Sequence, residues 1–171
     1  MPRKTRLKPP AQCHSLTITD ADVLAVDRDE HVRMLGLLCL IRAFESRLLA
    51  LKDEGLINGP VHASVGQEAV AAGMAVALRR TDLVASTHRA HGHFLSKAFS
   101  CYAPAGYQPL RDPLTAPMQA CVDRTMAEIL GLREGWCGGR GGSMHLYDPV
   151  SGNLGSNAIV GGGIPIATGA A

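Results

Sequence analysis

Between Asp29 and about Asp53 the apolar residues Leu37, Ile41, Phe44, Leu48 and Leu51 recur at helical spacing, with Arg33, Arg42, Glu45 and Arg47 between them. That period predicts an amphipathic helix, and Gly55 supplies a natural C-terminal stop. A Gly59-Pro60 turn follows. Gln67 to Leu78 (QEAVAAGMAVAL) reads as a helix of small residues, Asp82 to Ser86 as a short buried strand, and His91 to Phe99 as a further helix. Cys101 to about Pro117 carries Pro104, Gly106, Pro109, Pro113 and Pro117, too many breakers for regular structure. Helical periodicity returns from Gln119 to Leu130 through Val122, Met126 and Ile129.

After Gly131 the texture changes. Twelve of the 19 glycines lie between Gly131 and Gly169, which predicts tight turns and close backbone approach. Glycine this dense usually lets the main chain meet a ligand or another chain, and the interleaved Trp136, Met144, Leu146, Ile159, Val160 and Ile164 argue against a floppy linker. Pro165 is placed to begin a helix that the chain end at Ala171 cuts to under two turns, so a chain cut short is expected. Residues 1–19 read as a basic, disordered arm, and residues 20–171 as one incomplete domain.

At 171 residues, 46% hydrophobic and 19% charged, the chain is globular and has room for one domain. The formal net charge is +2, with Arg3, Lys4, Arg6 and Lys8 all in the arm, so no basic groove for nucleic acid is implied. The five cysteines are scattered, with no C-x-x-C pair, and read as reduced thiols of a cytoplasmic protein. The longest apolar run, Met34 to Ile41, falls far short of the roughly 20 residues that span a bilayer.

The densest polar cluster, Ser86-Thr-His-Arg-Ala-His-Gly-His93, follows the predicted strand, where α/β proteins place ligand contacts. Arg89 offers a fork of donors suited to phosphate, and His88 and His91 suit hydrogen bonding to a ligand or to the loop itself. A rival reading is a metal site from His88, His91 and His93, although the spacing matches no closed structural pattern. His62, on a turn before a helix, suits proton donation or orientation, or a structural hydrogen bond. Gly138-Gly-Arg-Gly-Gly-Ser143 is neither a Walker loop nor a G-x-G-x-x-G fingerprint, so nucleotide hydrolysis and a Rossmann cofactor are unsupported. Ala158-Ile-Val-Gly-Gly-Gly-Ile-Pro165 offers main-chain donors and acceptors for the edge of a heterocycle.

Five segments in order carry a resemblance: Arg42-Ala-Phe-Glu45, Val61-His-Ala-Ser-Val-Gly-Gln-Glu-Ala69, Ser86-Thr-His-Arg-Ala-His-Gly92, Gly139-Arg-Gly-Gly-Ser-Met-His145 and Gly155-Ser-Asn-Ala-Ile-Val-Gly161. Together they resemble the alpha subunit of thiamine-diphosphate-dependent 2-oxoacid dehydrogenases, the pyruvate, branched-chain and acetoin type. The resemblance implies an α/β fold, the N-terminal part of a thiamine-diphosphate-binding, transketolase-like domain with a parallel sheet flanked by helices. It implies Arg89 on the cofactor diphosphate, His88 beside it, and His62 as an active-site histidine. Ala158, Ile159 and Val160 would hold the aminopyrimidine, with Val160 supporting the bent cofactor. The implied reaction is C–C cleavage of a 2-oxoacid or acetoin, with acyl transfer to a lipoyl acyltransferase.

The family's Mg²⁺ signature, Gly-Asp-Gly followed by Asn, does not occur here, so the Mg²⁺ ligands are expected to be missing from this chain. Cys101 to Met118 reads as an insertion relative to the family. The glutamate that activates the aminopyrimidine belongs to the beta subunit, so a beta-chain partner is implied and this chain alone is expected to be inactive. The alternative is a truncated, non-catalytic interaction fragment that keeps subunit contacts.

Overall fold

A computed structural model describes residues 15–171. The elements run α1 (Asp20–Leu24), α2 (Arg28–Asp53), α3 (Glu68–Ala77), β1 (Val84–Thr87), α4 (His91–Tyr102), α5 (Ala116–Ile129), a 3₁₀ turn (Gly142–Met144), β2 (Asn153–Asn157) and α6 (Gly163–Ala170). Of the expected arm, residues 1–14 lie outside the described residues. Residues 15–19 are exposed and irregular up to Thr19, which caps α1 in a reciprocal box with Asp22.

The 26-residue α2 follows its apolar period, with Ile41, Phe44, Leu48 and Leu51 buried. It stops as Gly55 predicts. Gly55 takes φ 78°, its N–H donates to the Lys52 carbonyl, and the Leu56 N–H reaches back to Leu51, a Schellman closure. On the same face Phe94, Leu95 and Ala98 of α4 and Met118, Cys121 and Ile129 of α5 complete one core. Full burial of a side chain such as Leu48 or Leu95 stabilises by about 1.5–3 kcal/mol.

Helix α4 is the hub. It packs against α2, α3, α5 and both strands. Its Lys97 is fully buried and donates to the carbonyls of Arg80 (2.9 Å) and Arg79 (3.3 Å), tying down the turn that enters β1. Asn153, the first residue of β2, donates from Nδ2 to the Phe94 carbonyl at 3.2 Å. Gly152 has to be glycine: φ is 84°, and a Cβ there would stand 2.6 Å from the Asp82 carbonyl oxygen. Both strands are thus seated on one helix.

The helices and the mixed α/β class agree with the sequence reading, with four corrections. Strand β1 starts at Val84 rather than Asp82 and is half-buried rather than buried, because among the described residues it pairs with β2 alone. Helix α4 continues through Tyr102. Helix α5 begins at Ala116, since Pro117 falls in its first turn, where a missing N–H costs nothing. Strand β2 had no signal, because Asn-Leu-Gly-Ser-Asn lacks the β-branched and aromatic residues that mark strands.

Candidate functional site

Strands β1 and β2 are parallel, with Ala85 beside Gly155, Ser86 beside Ser156 and Thr87 beside Asn157. Their carboxyl ends therefore share one edge. His88 and Arg89 leave β1 there, and Ala158, Ile159 and Val160 leave β2 at the same end, the edge at which parallel sheets receive ligands. Residues that the sequence separates by some seventy positions become neighbours through one register.

His62 joins them from the segment between α2 and α3. Its ring stands edge-to-face against His88, with centroids 4.9 Å apart, and the Arg89 guanidinium donates to the carbonyl of Ala63. The Nδ1 atoms of His62 and His88 are both buried without a hydrogen-bond partner. Buried polar atoms are rarely left so, and two on facing rings make this edge a candidate ligand position. Burial, then the neighbouring His88, Arg89 and His91, hold the His62 imidazole below its ordinary pKa. It is therefore neutral at pH 7, with one ring nitrogen able to donate and the other to accept.

Across the edge, Ile159 is 74% and Val160 84% exposed, and Ala158 is exposed as well. The Ile159 main chain is used internally: its N–H donates to Asn157 Oδ1 at 2.6 Å and its carbonyl accepts from Gly162 at 2.9 Å. No turn or loop hydrogen bond among the described residues engages the main chain of Ala158 or Val160. Those two residues are the open positions.

Behind the histidines lies a buried polar network. Glu45 of α2 and His91 of α4 are both fully buried, with His91 Nδ1 3.0 Å from the Glu45 carboxylate. Burial would raise the Glu45 carboxyl, but His91 and Ser64 outweigh it and hold the group below the ordinary carboxylate range. Ser64 gives Glu45 both its N–H (2.9 Å) and its hydroxyl (2.6 Å). His91 Nε2 faces Ser143 Oγ at 2.9 Å and the Ser143 carbonyl at 3.1 Å, and Ser143 Oγ accepts the His62 N–H at 3.2 Å.

The rival metal reading fails on geometry. His91 is consumed by Glu45 and Ser143, His93 Nδ1 lies 3.1 Å from Ser86 Oγ, and His88 faces His62. Residues two apart on a helix, such as His91 and His93, point in different directions. Among the described residues no group of three His, Cys, Asp or Glu side chains is placed to hold a metal ion. Among the described residues, no helix is long and apolar enough to cross a membrane.

Part of the glycine-rich run turns its main chain inward, although Gly139, Gly141 and Gly142 also line a small hollow. Glu128 of α5, fully buried, accepts the N–H groups of Cys137 (2.6 Å), Gly139 (3.0 Å) and Gly141 (2.5 Å). The backbone closes around the protein's own carboxylate. Concavities elsewhere among the described residues include a groove of about 870 Å³ beside Leu37, Phe99, Tyr107 and Leu110, and a smaller hollow of about 380 Å³ beside Pro60, Glu128 and Arg140. Neither is lined by His62, His88, Arg89 or residues 158–160.

A family model described as "Dehydrogenase E1 component" matches residues 37–171, the whole stretch that builds this edge. The chain belongs to the dehydrogenase E1 component family. It is 36% identical over 148 residues to the alpha subunit of acetoin:2,6-dichlorophenolindophenol oxidoreductase from Bacillus subtilis (strain 168), covering 86% of this chain and 38% of that protein. It is 37% identical over 147 residues to pyruvate dehydrogenase E1 component subunit alpha-3, chloroplastic, from Oryza sativa subsp. japonica, covering 86% of this chain and 30% of that protein. To the pyruvate dehydrogenase E1 alpha subunit of Porphyra purpurea it is 35% identical over 170 residues, 99% of this chain and 41% of that protein. The chain thus spans about two fifths or less of the length of these relatives.

Within this E1 chain the sequence reading missed Glu45, Glu128 and Ser143 as organising groups. Glu45 had a legible signal, because it falls at i+4 from Ile41 and i−3 from Leu48, inside the apolar stripe. Glu128 lies three residues after Thr125 and seven after Cys121, on the buried face of α5 beside the apolar stripe that the sequence reading followed. Ser143 had none: its partners come from segments far away in sequence.

Proposed function

We propose that this chain supplies one wall of a thiamine-diphosphate site in an E1 alpha subunit acting on a 2-oxoacid or acetoin. The observation that carries the reading is the shared strand edge, where Arg89, His62, His88 and the open main chain at Ala158 and Val160 meet. The residues present fit the organic cofactor: two orphaned ring nitrogens, a guanidinium, and unengaged main-chain groups. They do not supply a Mg²⁺ site among the described residues.

Arg89 would hold the diphosphate by its forked donors, beside the N-terminus of α4, which has no side-chain cap and so leaves its first N–H groups facing that end. His88 would line the same end. Ala158 and Val160 would hydrogen-bond the aminopyrimidine through the main chain, with Ile159 between them, and the exposed Val160 side chain would pack beneath the cofactor. The cofactor, when bound, supplies the nucleophilic carbon and electron sink for cleaving the bond next to a 2-oxo group. His62, neutral and facing His88, would orient the substrate or exchange a proton with it through its unpartnered Nδ1.

The full reaction further calls for a beta subunit and a lipoyl acyltransferase to receive the acyl unit. The domain is then part of a transketolase-like fold, with residues 1–19 as its arm and 101–118 as an inserted excursion. The apolar residues Ile159 and Val160, exposed in the turn before α6, and Ile164 and Ile166, exposed on α6 itself, which buries none of its own residues, suit a surface that another polypeptide covers.

The test is NMR titration of the ¹⁵N-labelled chain with thiamine diphosphate. Weak, fast-exchanging binding is expected, shifting the signals of His62, His88, Arg89 and residues 158–160, and lost in Arg89→Ala. Thiamine lacking the diphosphate should leave Arg89 still. Shifts confined to other regions, or none at saturating ligand, would overturn the assignment.

A further inference from the structure

The segment that carries His62 has no secondary structure of its own, yet its main chain is held at every second residue. The His62 N–H donates to Ser143 Oγ (3.2 Å), the Ser64 N–H to Glu45 Oε1 (2.9 Å) and the Gly66 N–H to Glu68 Oε2 (2.9 Å). The three acceptors come from three different elements: the 3₁₀ turn, α2 and the first turn of α3. Each acceptor is itself braced. Glu68 is gripped by the Arg42 guanidinium, and Glu45 and Ser143 are bridged by the buried His91 ring.

We propose that Ser143, Glu45 and Glu68 act together as a side-chain substitute for a neighbouring strand, fixing the main chain of residues 62–66 so that the His62 ring stands against His88. They are positioning residues for the site, and this role rests on the cofactor reading above only in what His62 is positioned for. The physical argument is one of accounting. Main-chain N–H groups at a half-buried loop must find acceptors, and here no strand or helix offers them. Ionised carboxylates are stronger acceptors than a carbonyl and, once braced, hold the donor in one place. The Ala63 carbonyl, which none of the three acceptors engages, meets Arg89.

Amide hydrogen exchange by NMR on the whole chain, without ligand, tests the clamp. The amides of His62, Ser64 and Gly66 should be protected although the segment is irregular. Ser143→Ala should speed exchange at His62 by about tenfold or more, the loss of roughly one hydrogen bond, while helix α5 amides change far less. Glu68→Ala should do the same at Gly66, and Ser143→Thr, which keeps a hydroxyl, should restore His62. In Ser143→Ala the His62 ring, now surrounded by His88, Arg89 and His91 with Glu45 behind, should titrate closer to its ordinary value.

Free exchange of all three amides in the unaltered chain overturns the proposal, and this holds even if a variant fails to fold. So does a uniform rise in exchange across the chain in Ser143→Ala. A clamped loop in a chain that does not bind thiamine diphosphate would sink the cofactor reading alone. A binding chain with freely exchanging amides would sink the clamp alone.

Discussion

Replacing Glu128 by Gln tests how the glycine-rich loop is organised. The native carboxylate takes three main-chain N–H groups, two on Oε2 and one on Oε1. Glutamine keeps one acceptor oxygen and turns an NH₂ toward a main-chain donor. Whichever way the amide sits, at least one N–H loses its acceptor and faces another donor, and the remaining bonds lose their charge assistance. A hydrogen bond to a charged group is worth about 1.5–3 kcal/mol net, and the half-buried loop admits some replacement water, so a loss of about 2–4 kcal/mol is expected. For a chain of this size that corresponds to a fall in Tm of about 5–15 °C. Urea and thermal unfolding followed by circular dichroism give the stability. Exchange at the amides of Cys137, Gly139 and Gly141 should rise beyond the global change. A loss below about 1 kcal/mol with those amides still protected would show that the loop is held by something other than Glu128.

Two further predictions concern titration. The side-chain bond from Arg42 holds Glu68 down to about 2, against partial opposition from burial. A depressed carboxylate contributes stability that is present above its unfolded value and lost as the pH falls toward the folded one. Stability should therefore decline between about pH 5 and pH 2, and Glu68→Gln should flatten that part of a pH–stability curve; an unchanged slope would remove Glu68 as a contributor. Burial, reinforced by Asp148, pushes the Cys121 thiol up to about 12. Iodoacetamide at pH 8 should label the exposed Cys39 readily and Cys121 only on unfolding, read by peptide mass spectrometry. Modification of Cys121 in the folded chain at a rate similar to Cys39 would contradict its placement.

The helices and their ends could be read from local order, and for a definite reason. An amphipathic helix is specified by residues three and four apart, so α2, α4 and α5 could be read from local order, and Gly55 marked where α2 stops, whereas Pro117, read as a breaker, falls in the first turn of α5. The order of short motifs placed the chain in its family, because Arg89, His62 and the Ala158–Val160 segment keep their sequence neighbours wherever they end up in space.

What the sequence left open were the partners of polar groups. Nothing near Glu45 indicates His91, nothing near Glu128 indicates three amides in a glycine run, and the three imidazoles of the STHRAHGH cluster part company only once the chain is folded. Strand β2 became a strand because Val84–Thr87 lay beside it on the α4 hub, not because its residues favour one. A helix satisfies its main chain from within, whereas a strand, a loop or a buried carboxylate must borrow from distant residues. Tertiary structure alone decided that borrowing, and the candidate site is made of it.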